Sequence, residues 1–524
     1  MATRVPAGFQ TCAIGALLVA IVSCHASVRT ARPSSPKSPA ASPTDRSDAA
    51  VIGGSERSLG PATRDLGLTI DAALADPALA HGYWGVLVRS LRSGDTLYER
   101  NAARLLMPAS NMKLLTLAAA VDGLGWDFTY ETRVLAAGTI ADGRLDGDLV
   151  VVGSGDPAIG VADGMSDRLF ADWATRLKEA GIRTITGRIV GDDHAFDDDG
   201  LGFGWSWDDL ADDYAAAVSA LQFNENAVRV TVAPGLAVGD AAGVSAAPAT
   251  AALVVDNELK TGAPGGPPSI VARRLPGSAR LELRGSVPLG SAPVTRVVSV
   301  DNPTLFFASA LRTALIAHGI DVRGPAVDMD ETIDPPVAAE RTPIVSYRSA
   351  PLSTLAVRLM KVSQNLYAET LLKTVGAHAG AGTFTAGRIA ADAALQKWGL
   401  QPGDFIERDG SGLSRYDFVT PAALVAILTH VDRDERLRGP FEASLPIAGR
   451  DGTLANRMKG TPAEGNVRAK TGSMANVRAL SGYVTTADGE PLVFSIIANN
   501  FETSADVIIK ATDTIVVKLA AFRR

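Results

Sequence analysis

The centre of the fold is fixed by the stretch Ser110-Asn111-Met112-Lys113-Leu114-Leu115-Thr116-Leu117-Ala118-Ala119-Ala120-Val121. Pro108 precedes this stretch and Gly123 follows it, and these residue types are typical of the start and the end of a helix. Because apolar side chains surround the helix instead of forming one stripe, it is predicted to lie buried inside a domain. Ser110 and Lys113 are three residues apart, so their side chains share one helix face.

A lysine beside a serine hydroxyl is a catalytic pattern only in a suitable environment. The amine can act as the base for the hydroxyl when burial lowers the lysine pKa. A helix N-terminus adds oriented N–H groups that can stabilise an oxyanion. Alone, the pattern is also consistent with a serine that caps an ordinary helix. Ser34-Ser35-Pro36-Lys37 repeats it by chance, because Pro36 argues against a buried helix there.

Ser363-Gln364-Asn365 lies between two predicted helices, at residues 352–361 and 366–375. Such a junction can present a hydroxyl, for proton relay, and a carboxamide, for binding an amide, to a cleft. The simpler interpretation of the tripeptide is a turn.

Lys470-Thr471-Gly472 ends a predicted strand at residues 467–471. Gly472 would let a ligand or another chain segment approach the backbone closely. Lys260-Thr261-Gly262 repeats the tripeptide, but a run rich in Pro and Gly follows it, so it is predicted to be a loop.

The three elements in this order resemble the signature of the serine penicillin-recognising enzymes, which is S-x-x-K, then S-x-N, then K-T-G. The long interval from Ser110 to Ser363 is similar to that of one group, the D-alanyl-D-alanine carboxypeptidase/endopeptidase family, or class C low-molecular-mass penicillin-binding proteins. That family carries a large insert between the first two motifs. Three further segments are similar to sequences of that family: Gly153-Ser154-Gly155-Asp156-Pro157, Asp409-Gly410-Ser411-Gly412-Leu413-Ser414-Arg415 and Leu480-Ser481-Gly482-Tyr483-Val484.

The resemblance implies a role for each motif residue. Ser110 would attack the carbonyl between two D-alanines of a peptidoglycan stem peptide and form an acyl-enzyme. Lys113 would take the proton of Ser110, while Ser363 and Lys470 would pass a proton toward the leaving amine. Asn365 would hold the substrate amide.

The resemblance also implies the binding groups. Lys470, Thr471 and Ser473, with Gly472 between them, would bind the terminal carboxylate. The backbone N–H groups of Ser110 and Ser473 would form the oxyanion hole. β-Lactams would acylate Ser110 as substrate mimics.

The inserted domain of the family supplies an aspartate that contacts the free amine of the stem peptide's diamino acid. Asp197, in the acidic run Asp192–Asp199, is the candidate for this contact. A solvated acidic loop is the alternative interpretation of the run. No metal or other cofactor is expected, because chemistry through Ser110 and Lys113 needs none.

The predicted fold class is α/β, an α+β sandwich of two layers with a β-lactamase/transpeptidase-like domain. Residues 66–130 and 344–524 would form this domain, around an antiparallel sheet flanked by helices. A hairpin near residues 83–100 would join three C-terminal strands in the sheet. Residues 131–343 are predicted to be a mostly β insert of two subdomains.

The N-terminal region predicts export. Residues 1–26 have the layout of a signal peptide, with Arg4 followed by a short apolar run. Ile21-Val22-Ser23-Cys24 is similar to a bacterial lipoprotein box, so the mature chain is either tethered to a membrane by a lipid on Cys24 or released by cleavage after Ala26. Residues 27–65, rich in Ser, Pro and Ala, are predicted to be a flexible tether. The expected location is the periplasm or cell envelope.

Composition excludes one class of partner. Lys plus Arg number 50 and Asp plus Glu 57, a net charge of −7, so no basic surface for nucleic acid is expected. The expected function is a penicillin-binding serine D-alanyl-D-alanine carboxypeptidase that also acts as a DD-endopeptidase. Two alternatives stay open: a β-lactamase, for which no loop glutamate of the class A kind is evident, and a non-catalytic wall-binding scaffold of the same fold.

Overall fold

A computed structural model describes residues 60–161 and 164–524. The predicted signal peptide, Cys24 and nearly all of the predicted tether lie outside the described residues. The tether prediction is wrong at its C-terminal end, because a helix begins at Pro61. Proline suits the first position of a helix, where its missing N–H is not needed. Among the described residues, none of the helices combines the length and the apolar character that crossing a membrane requires.

The described part of the chain contains ten α-helices and twenty strands. The helices are α1 (Pro61–Leu74), α2 (Met112–Leu124), α3 (Met165–Glu179), α4 (Pro303–Ala317), α5 (Leu352–Lys361), α6 (Asn365–His378), α7 (Phe384–Lys397), α8 (Pro421–Arg433), α9 (Glu435–Ser444) and α10 (Ala505–Ala521). The strands are β1 (Tyr83–Ser90), β2 (Thr96–Arg100), β3 (Glu131–Ala141), β4 (Arg144–Val152), β5 (Thr184–Ile185), β6 (Ile189–Asp192), β7 (Ala227–Ala233), β8 (Gly243–Ala247), β9 (Val254–Gly262), β10 (Ser269–Arg273), β11 (Arg280–Pro288), β12 (Val294–Ser299), β13 (Asp321–Val322), β14 (Ala326–Asp328), β15 (Arg341–Arg348), β16 (Phe405–Ile406), β17 (Phe418–Val419), β18 (Arg468–Met474), β19 (Val477–Thr485) and β20 (Pro491–Asn499).

The main sheet joins the two ends of the described chain. Its strand order is β18-β19-β20-β1-β2, and each neighbouring pair is antiparallel. The predicted hairpin therefore extends the three C-terminal strands, as expected, and the antiparallel sheet flanked by helices is confirmed.

Helices cover both faces of this sheet. Side chains of α1 and α10 pack against one face of the sheet. Side chains of α2, α5, α6, α7 and α8 pack on the other face. In β20 every residue after Pro491 is buried, as expected for a strand covered on both faces. The domain thus has three layers, and the prediction of two layers is wrong.

Helix α2 lies inside the domain, and its residues from Met112 to Val121 are all buried. The helix begins two residues later than its sequence suggests, because Ala109–Asn111 form a turn of 3₁₀-helix before it. Ser110 is therefore held in a tight turn at the end of the central helix.

The inserted region contains both strands and helices. A seven-stranded sheet contains β3, β4, β5, β6, β13, β14 and β15, and two three-stranded sheets have the orders β10-β11-β9 and β12-β7-β8. Side chains from all three sheets, together with α3 and α4, share one buried apolar cluster. The division of the insert into two subdomains stays a prediction.

Two expectations for the insert are wrong. Lys260-Thr261-Gly262 is not a loop: it ends β9, which pairs in parallel with β11. The flanking Pro and Gly residues follow the strand and so do not disturb its pairing. The predicted boundary between residues 343 and 344 falls inside β15, which pairs with β3 of the insert.

Candidate active site

Ser110 and Lys113 are in contact, as the helix spacing predicts. Lys113 Nζ lies 3.0 Å from Ser110 Oγ. The same amine donates to Asn365 Oδ1 at 2.6 Å and to the carbonyl oxygen of Ser411 at 2.8 Å. The Lys113 side chain is fully buried. Its nitrogen is therefore held by three fixed oxygens, one of which is the hydroxyl of Ser110.

Ser363 and Asn365 occupy the junction between α5 and α6. Ser363 has a φ of 64°, a left-handed conformation that costs energy for a residue with a Cβ. Asn365 is the first residue of α6, and its Nδ2 donates to the carbonyl oxygen of Tyr214 at 2.8 Å. The strained turn thus points its hydroxyl and its amide into one site, and the insert contributes to holding the amide.

Lys470 enters the site from β18, at the edge of the main sheet. Its Nζ donates to Ser363 Oγ at 2.8 Å and to the carbonyl oxygen of Thr471 at 2.8 Å. Asn111 Nδ2 donates to the carbonyl oxygen of Lys470 at 3.1 Å. The strand is therefore fastened to the turn that carries Ser110.

Gly472 lets the strand lie against that turn. A Cβ at this position would fall 2.5 Å from the carbonyl oxygen of Pro108 and 3.1 Å from Asn111 Nδ2. Any larger residue would push β18 away from the 3₁₀ turn. The close approach that Gly472 was predicted to allow is thus made by the protein's own backbone.

These elements surround a cavity of about 470 Å³. Of the predicted site residues, its lining contains Ser110, Ser363, Asn365, Thr471 and Ser473. Lys113 and Lys470 lie buried behind the wall, each touching one of the lining serines. Residues hundreds of positions apart in the sequence therefore converge on one cavity.

Burial changes the protonation of both lysines. Burial lowers the pKa of Lys113, while the charges of Glu369, Asp409 and Asp417 act in the opposite direction. The pKa of Lys470 lies well below its usual range, mainly because the side chain is buried and also because the charge of Lys113 is close. Both amines can therefore be neutral, and act as bases, at a lower pH than exposed lysines can.

The sequence interpretation missed the part of the cavity that the insert forms. Its lining there includes Asp208, Asp209 and Tyr214, none of which lies in a motif. Nearby Trp205 donates through Nε1 to Asp409 Oδ2 at 2.8 Å. The single signal for this segment is a local concentration of aromatic and acidic residues, which does not indicate a contact with a distant turn.

The segment Asp409–Arg415 forms part of the cavity wall. Gly412, Leu413 and Arg415 line the cavity. Asp409 accepts the backbone N–H groups of Gly412 and Ser414, both at 2.6 Å, which holds the segment in a tight loop.

Asp197 is not brought into this cavity. It lines a second, acidic cleft, where its Oδ1 lies 2.6 Å from the buried amine of Lys373. The backbone carbonyl of Asp197 also accepts from Lys373 Nζ, at 2.9 Å. The Asp197 carboxylate is thus already paired with a lysine of α6, so its placement does not support the predicted contact with a substrate amine.

The chain is similar to known D-alanyl-D-alanine carboxypeptidases. Residues 66–521 match the D-Ala-D-Ala carboxypeptidase 3 (S13) family. A D-alanyl-D-alanine carboxypeptidase from Actinomadura sp. (strain R39) is 38% identical over 467 residues, which are 86% of this chain and 84% of that protein. The D-alanyl-D-alanine carboxypeptidase DacB from Haemophilus influenzae is 28% identical over 427 residues, which are 80% of this chain and 86% of that protein.

A solved structure shares the fold. The crystal structure of penicillin binding protein 4 (dacB) from Haemophilus influenzae has a TM-score of 0.76 to this chain at 25% identity. The match covers 88% of this chain and 99% of that one. Apart from the number of layers, the predicted fold class, α/β with a β-lactamase/transpeptidase-like domain, is thereby confirmed. From the family match over residues 66–521, the 38% identical relative and the three converging motifs, we conclude that the chain belongs to the D-Ala-D-Ala carboxypeptidase 3 (S13) family.

Proposed function

We propose that this carboxypeptidase hydrolyses the bond between two D-alanines of peptidoglycan stem peptides through an acyl-enzyme on Ser110. The observation that carries the proposal is the contact of Ser110 Oγ with the buried amine of Lys113, at 3.0 Å, in a cavity that Ser363 also lines. This arrangement supports Ser110 as nucleophile, Lys113 as base and Ser363 as proton relay.

The three contacts of Lys113 orient it as a base. A neutral amine has two N–H donors and one lone pair. Asn365 Oδ1 and the Ser411 carbonyl can only accept hydrogen bonds, so they take the two donors. The lone pair is then directed at Ser110, whose hydroxyl can donate. Lys113 would accept that proton as Ser110 Oγ attacks the carbonyl carbon.

Ser363 and Lys470 supply a second route for protons. The Ser363 hydroxyl accepts from Lys470 at 2.8 Å and lines the cavity, so it can pass a proton to a leaving amine. The peptide C–N bond breaks as the amine takes that proton. Water then attacks the ester on Ser110, its proton restores the serine hydroxyl, and the shortened peptide is released. The proton that Lys113 took from Ser110 passes to Ser363 and Lys470, so both amines return to their starting states.

Substrate binding would use the edge of β18. Thr471 and Ser473 line the cavity, and Lys470 lies behind them, so a terminal carboxylate can meet a hydroxyl pair beside a cation. The backbone N–H groups of Ser110 and Ser473 would form the oxyanion hole. Asn365 would hold the substrate amide with the second hydrogen of its Nδ2, since the first is donated to Tyr214.

The insert would recognise the diamino acid through residues other than Asp197. Asp208 and Asp209 line the same cavity as Ser110, and each offers a carboxylate to an ammonium group. The same acyl-enzyme forms whichever amine leaves, so a bond from D-alanine to a diamino acid of a cross-link would also be cleaved. We therefore extend the proposal to DD-endopeptidase action.

Fluorescent penicillin tests the assignment of the nucleophile. Wild type is expected to take up one covalent label per molecule, and Ser110→Ala none. Ser309→Ala, on α4 in the insert, is the matched control and should label like wild type. An undiminished label on Ser110→Ala would refute the proposal. An unlabelled wild type would favour the scaffold alternative, and rapid turnover of nitrocefin would favour the β-lactamase.

Mass spectrometry of peptidoglycan fragments tests the bond that is cleaved. Carboxypeptidase action removes one alanine from a pentapeptide monomer, whereas endopeptidase action converts cross-linked dimers to monomers. Neither change should occur with Ser110→Ala. If dimers persist while monomers are trimmed, the endopeptidase extension is wrong and the carboxypeptidase assignment stands.

We also propose that the chain is exported to the cell envelope, and that a lipid on Cys24 tethers it to a membrane. The proposal rests on the apolar run before Cys24 and on the small residues around it. Detergent-phase partition of the expressed protein tests the tether. Cys24→Ala should move the protein to the aqueous phase, and Cys12→Ala should not. Equal partition of all three proteins would exclude lipidation of Cys24.

A further inference from the structure

Glu369 is a fully buried carboxylate behind the catalytic lysine. It lies four residues after Asn365 on α6, so the two side chains share one face of the helix. Its Oε2 accepts the backbone N–H of Gly410 at 2.8 Å, and its Oε1 accepts that of Ser411 at 2.8 Å. One carboxylate thus fixes two successive peptide units.

The carbonyl groups of the same two residues contact α2. The carbonyl oxygen of Ser411 accepts from Lys113 Nζ at 2.8 Å, and that of Gly410 accepts from the Thr116 hydroxyl at 2.7 Å. The Gly410–Ser411 backbone is therefore held between Glu369 on one side and Lys113 and Thr116 on the other. Glu369 and Thr116 hold the Gly410–Ser411 peptide plane from its two sides. The next plane carries the Ser411 carbonyl, and its N–H, that of Gly412, donates to Asp409 Oδ1 at 2.6 Å. With the planes on both sides of Ser411 held, its carbonyl has little freedom to turn away from Lys113.

Close packing leaves the loop no room to move. A Cβ on Gly410 would lie 2.6 Å from the carbonyl oxygen of Ala368, on α6. A Cβ on Gly412, whose φ is +81°, would lie 1.9 Å from the carbonyl oxygen of Ala109, the residue before the nucleophile. The loop touches both α6 and the turn of Ser110, so a displacement at Glu369 is transmitted to the reacting groups.

We propose that Glu369 is a positioning residue of the active site, which holds the Ser411 carbonyl so that the lone pair of Lys113 points at Ser110. The inference rests on the proposed function, because it assigns Lys113 as the base. Without the Ser411 carbonyl, one N–H of the neutral amine would lack its acceptor, and the amine could turn its lone pair away from Ser110.

Glu369→Gln tests the proposal. Glutamine has nearly the shape of glutamate, but its Nε2 cannot accept an N–H, so one of the two backbone bonds is lost. The measurement is the time course of labelling by fluorescent penicillin, which gives a rate constant and a final amplitude. Misplacing a reacting group by about 1 Å costs about 100-fold in rate. We expect the rate constant to fall about 10- to 100-fold, with a final amplitude near that of wild type.

A purely structural role gives a different result. If Glu369 only stabilises the fold, the variant should show a reduced amplitude while the surviving molecules label at the wild-type rate. That outcome overturns the proposal, as does a wild-type rate with full amplitude. Wild type and Ser110→Ala are labelled in parallel, so that an unlabelled wild type marks failure of the proposed function instead.

Two further variants make the test specific. Glu490→Gln is the matched control: Glu490 is also buried, but its hydrogen bonds are to the Ser90 hydroxyl and to Arg524, and it should label at the wild-type rate. Gly410→Ala displaces the same loop without touching the carboxylate. It should slow labelling as Glu369→Gln does, and it decides the matter if Glu369→Gln does not fold. A wild-type rate for Gly410→Ala would then overturn the proposal.

Discussion

The positive charge of Lys113 lowers the pKa of Lys470, in addition to the larger effect of burial. Both lysines are fully buried and each holds a serine hydroxyl, at 3.0 Å and 2.8 Å. Two buried cations in one site repel each other, so the free enzyme favours a state in which at least one amine is neutral. A substrate that brings a carboxylate changes this balance.

Substrate binding is expected to draw a proton onto Lys470. A carboxylate at Thr471 and Ser473 favours the charged amine, so the Lys470 pKa rises from its lowered value. At a pH between the Lys470 pKa of the free enzyme and that of the complex, the complex holds more protons than the free enzyme. Binding therefore takes up as much as one proton, and affinity falls as the pH rises through the bound value. Calorimetry of Ser110→Ala with a peptide ending in D-Ala-D-Ala, in buffers of different ionisation enthalpy, measures the uptake.

The matched comparison for proton uptake is the same titration with Lys470→Met added. Uptake should vanish in the double variant because methionine does not titrate. Unchanged uptake would assign the proton to another group, and zero uptake in Ser110→Ala would show that Lys470 is already charged in the free enzyme.

Lys113→Met is expected to lose acylation without losing the fold. Removing a general base typically costs about 100- to 10,000-fold in rate. Methionine fills a similar volume and carries no buried charge, so the melting temperature should change little. Labelling kinetics give the rate and circular dichroism gives the melting temperature. Lys459→Met, at an exposed lysine, is the control. Labelling of Lys113→Met within threefold of wild type would exclude Lys113 as the base.

Gly472→Ala is expected to separate the strand from the nucleophile turn. Its methyl group would lie 2.5 Å from the carbonyl oxygen of Pro108, which forces β18 or the turn to move. Overpacking of this kind costs about 1–3 kcal/mol, and labelling of Ser110 should slow. Gly123→Ala is the control, since a Cβ there meets no atom within 4 Å. Urea unfolding and labelling rates measure both effects, and equal behaviour of the two variants would refute the packing argument.

The parts of the site that could be predicted are those with a local pattern. The spacing of Ser110 and Lys113 on a buried helix and the residues of β18 are local, and the structure bears out their juxtaposition. The antiparallel order of the main sheet followed from strand count and from the hairpin. Three short motifs in order were enough to identify the family, although each alone had a simpler explanation.

The parts that could not be predicted depend on long-range contacts. Tyr214 binds Asn365 through its backbone carbonyl, which every residue type has, so the identity of residue 214 does not indicate the contact. In the acidic run, sequence alone does not show which carboxylate is free, and the buried Lys373 pairs with Asp197. Glu369 lies inside α6, where a glutamate is an ordinary helix residue.

Asp156 is expected to make stability fall with rising pH. Its carboxyl is almost fully buried, Oδ1 accepts only the N–H of Ala158 at 2.9 Å, and Oδ2 has no hydrogen-bond partner among the described residues. Burial raises the pKa of Asp156 from 3.8 to about 6, with that N–H acting in the opposite direction. A raised pKa favours the protonated form in the folded state. Its stabilising contribution is therefore complete below pH 3.8 and is lost as the pH rises through about 6.

Asp156→Asn removes this dependence, because the amide does not ionise and its Oδ1 can still accept from Ala158. The free energy of unfolding of the variant relative to wild type should improve by about 2 kcal/mol between pH 4 and pH 8. Urea unfolding at both pH values measures the change. The exposed Asp334→Asn variant serves as the control and should show no comparable change. A constant difference between Asp156→Asn and wild type at the two pH values would mean that Asp156 stays ionised in the folded protein, with a partner that compensates for its burial.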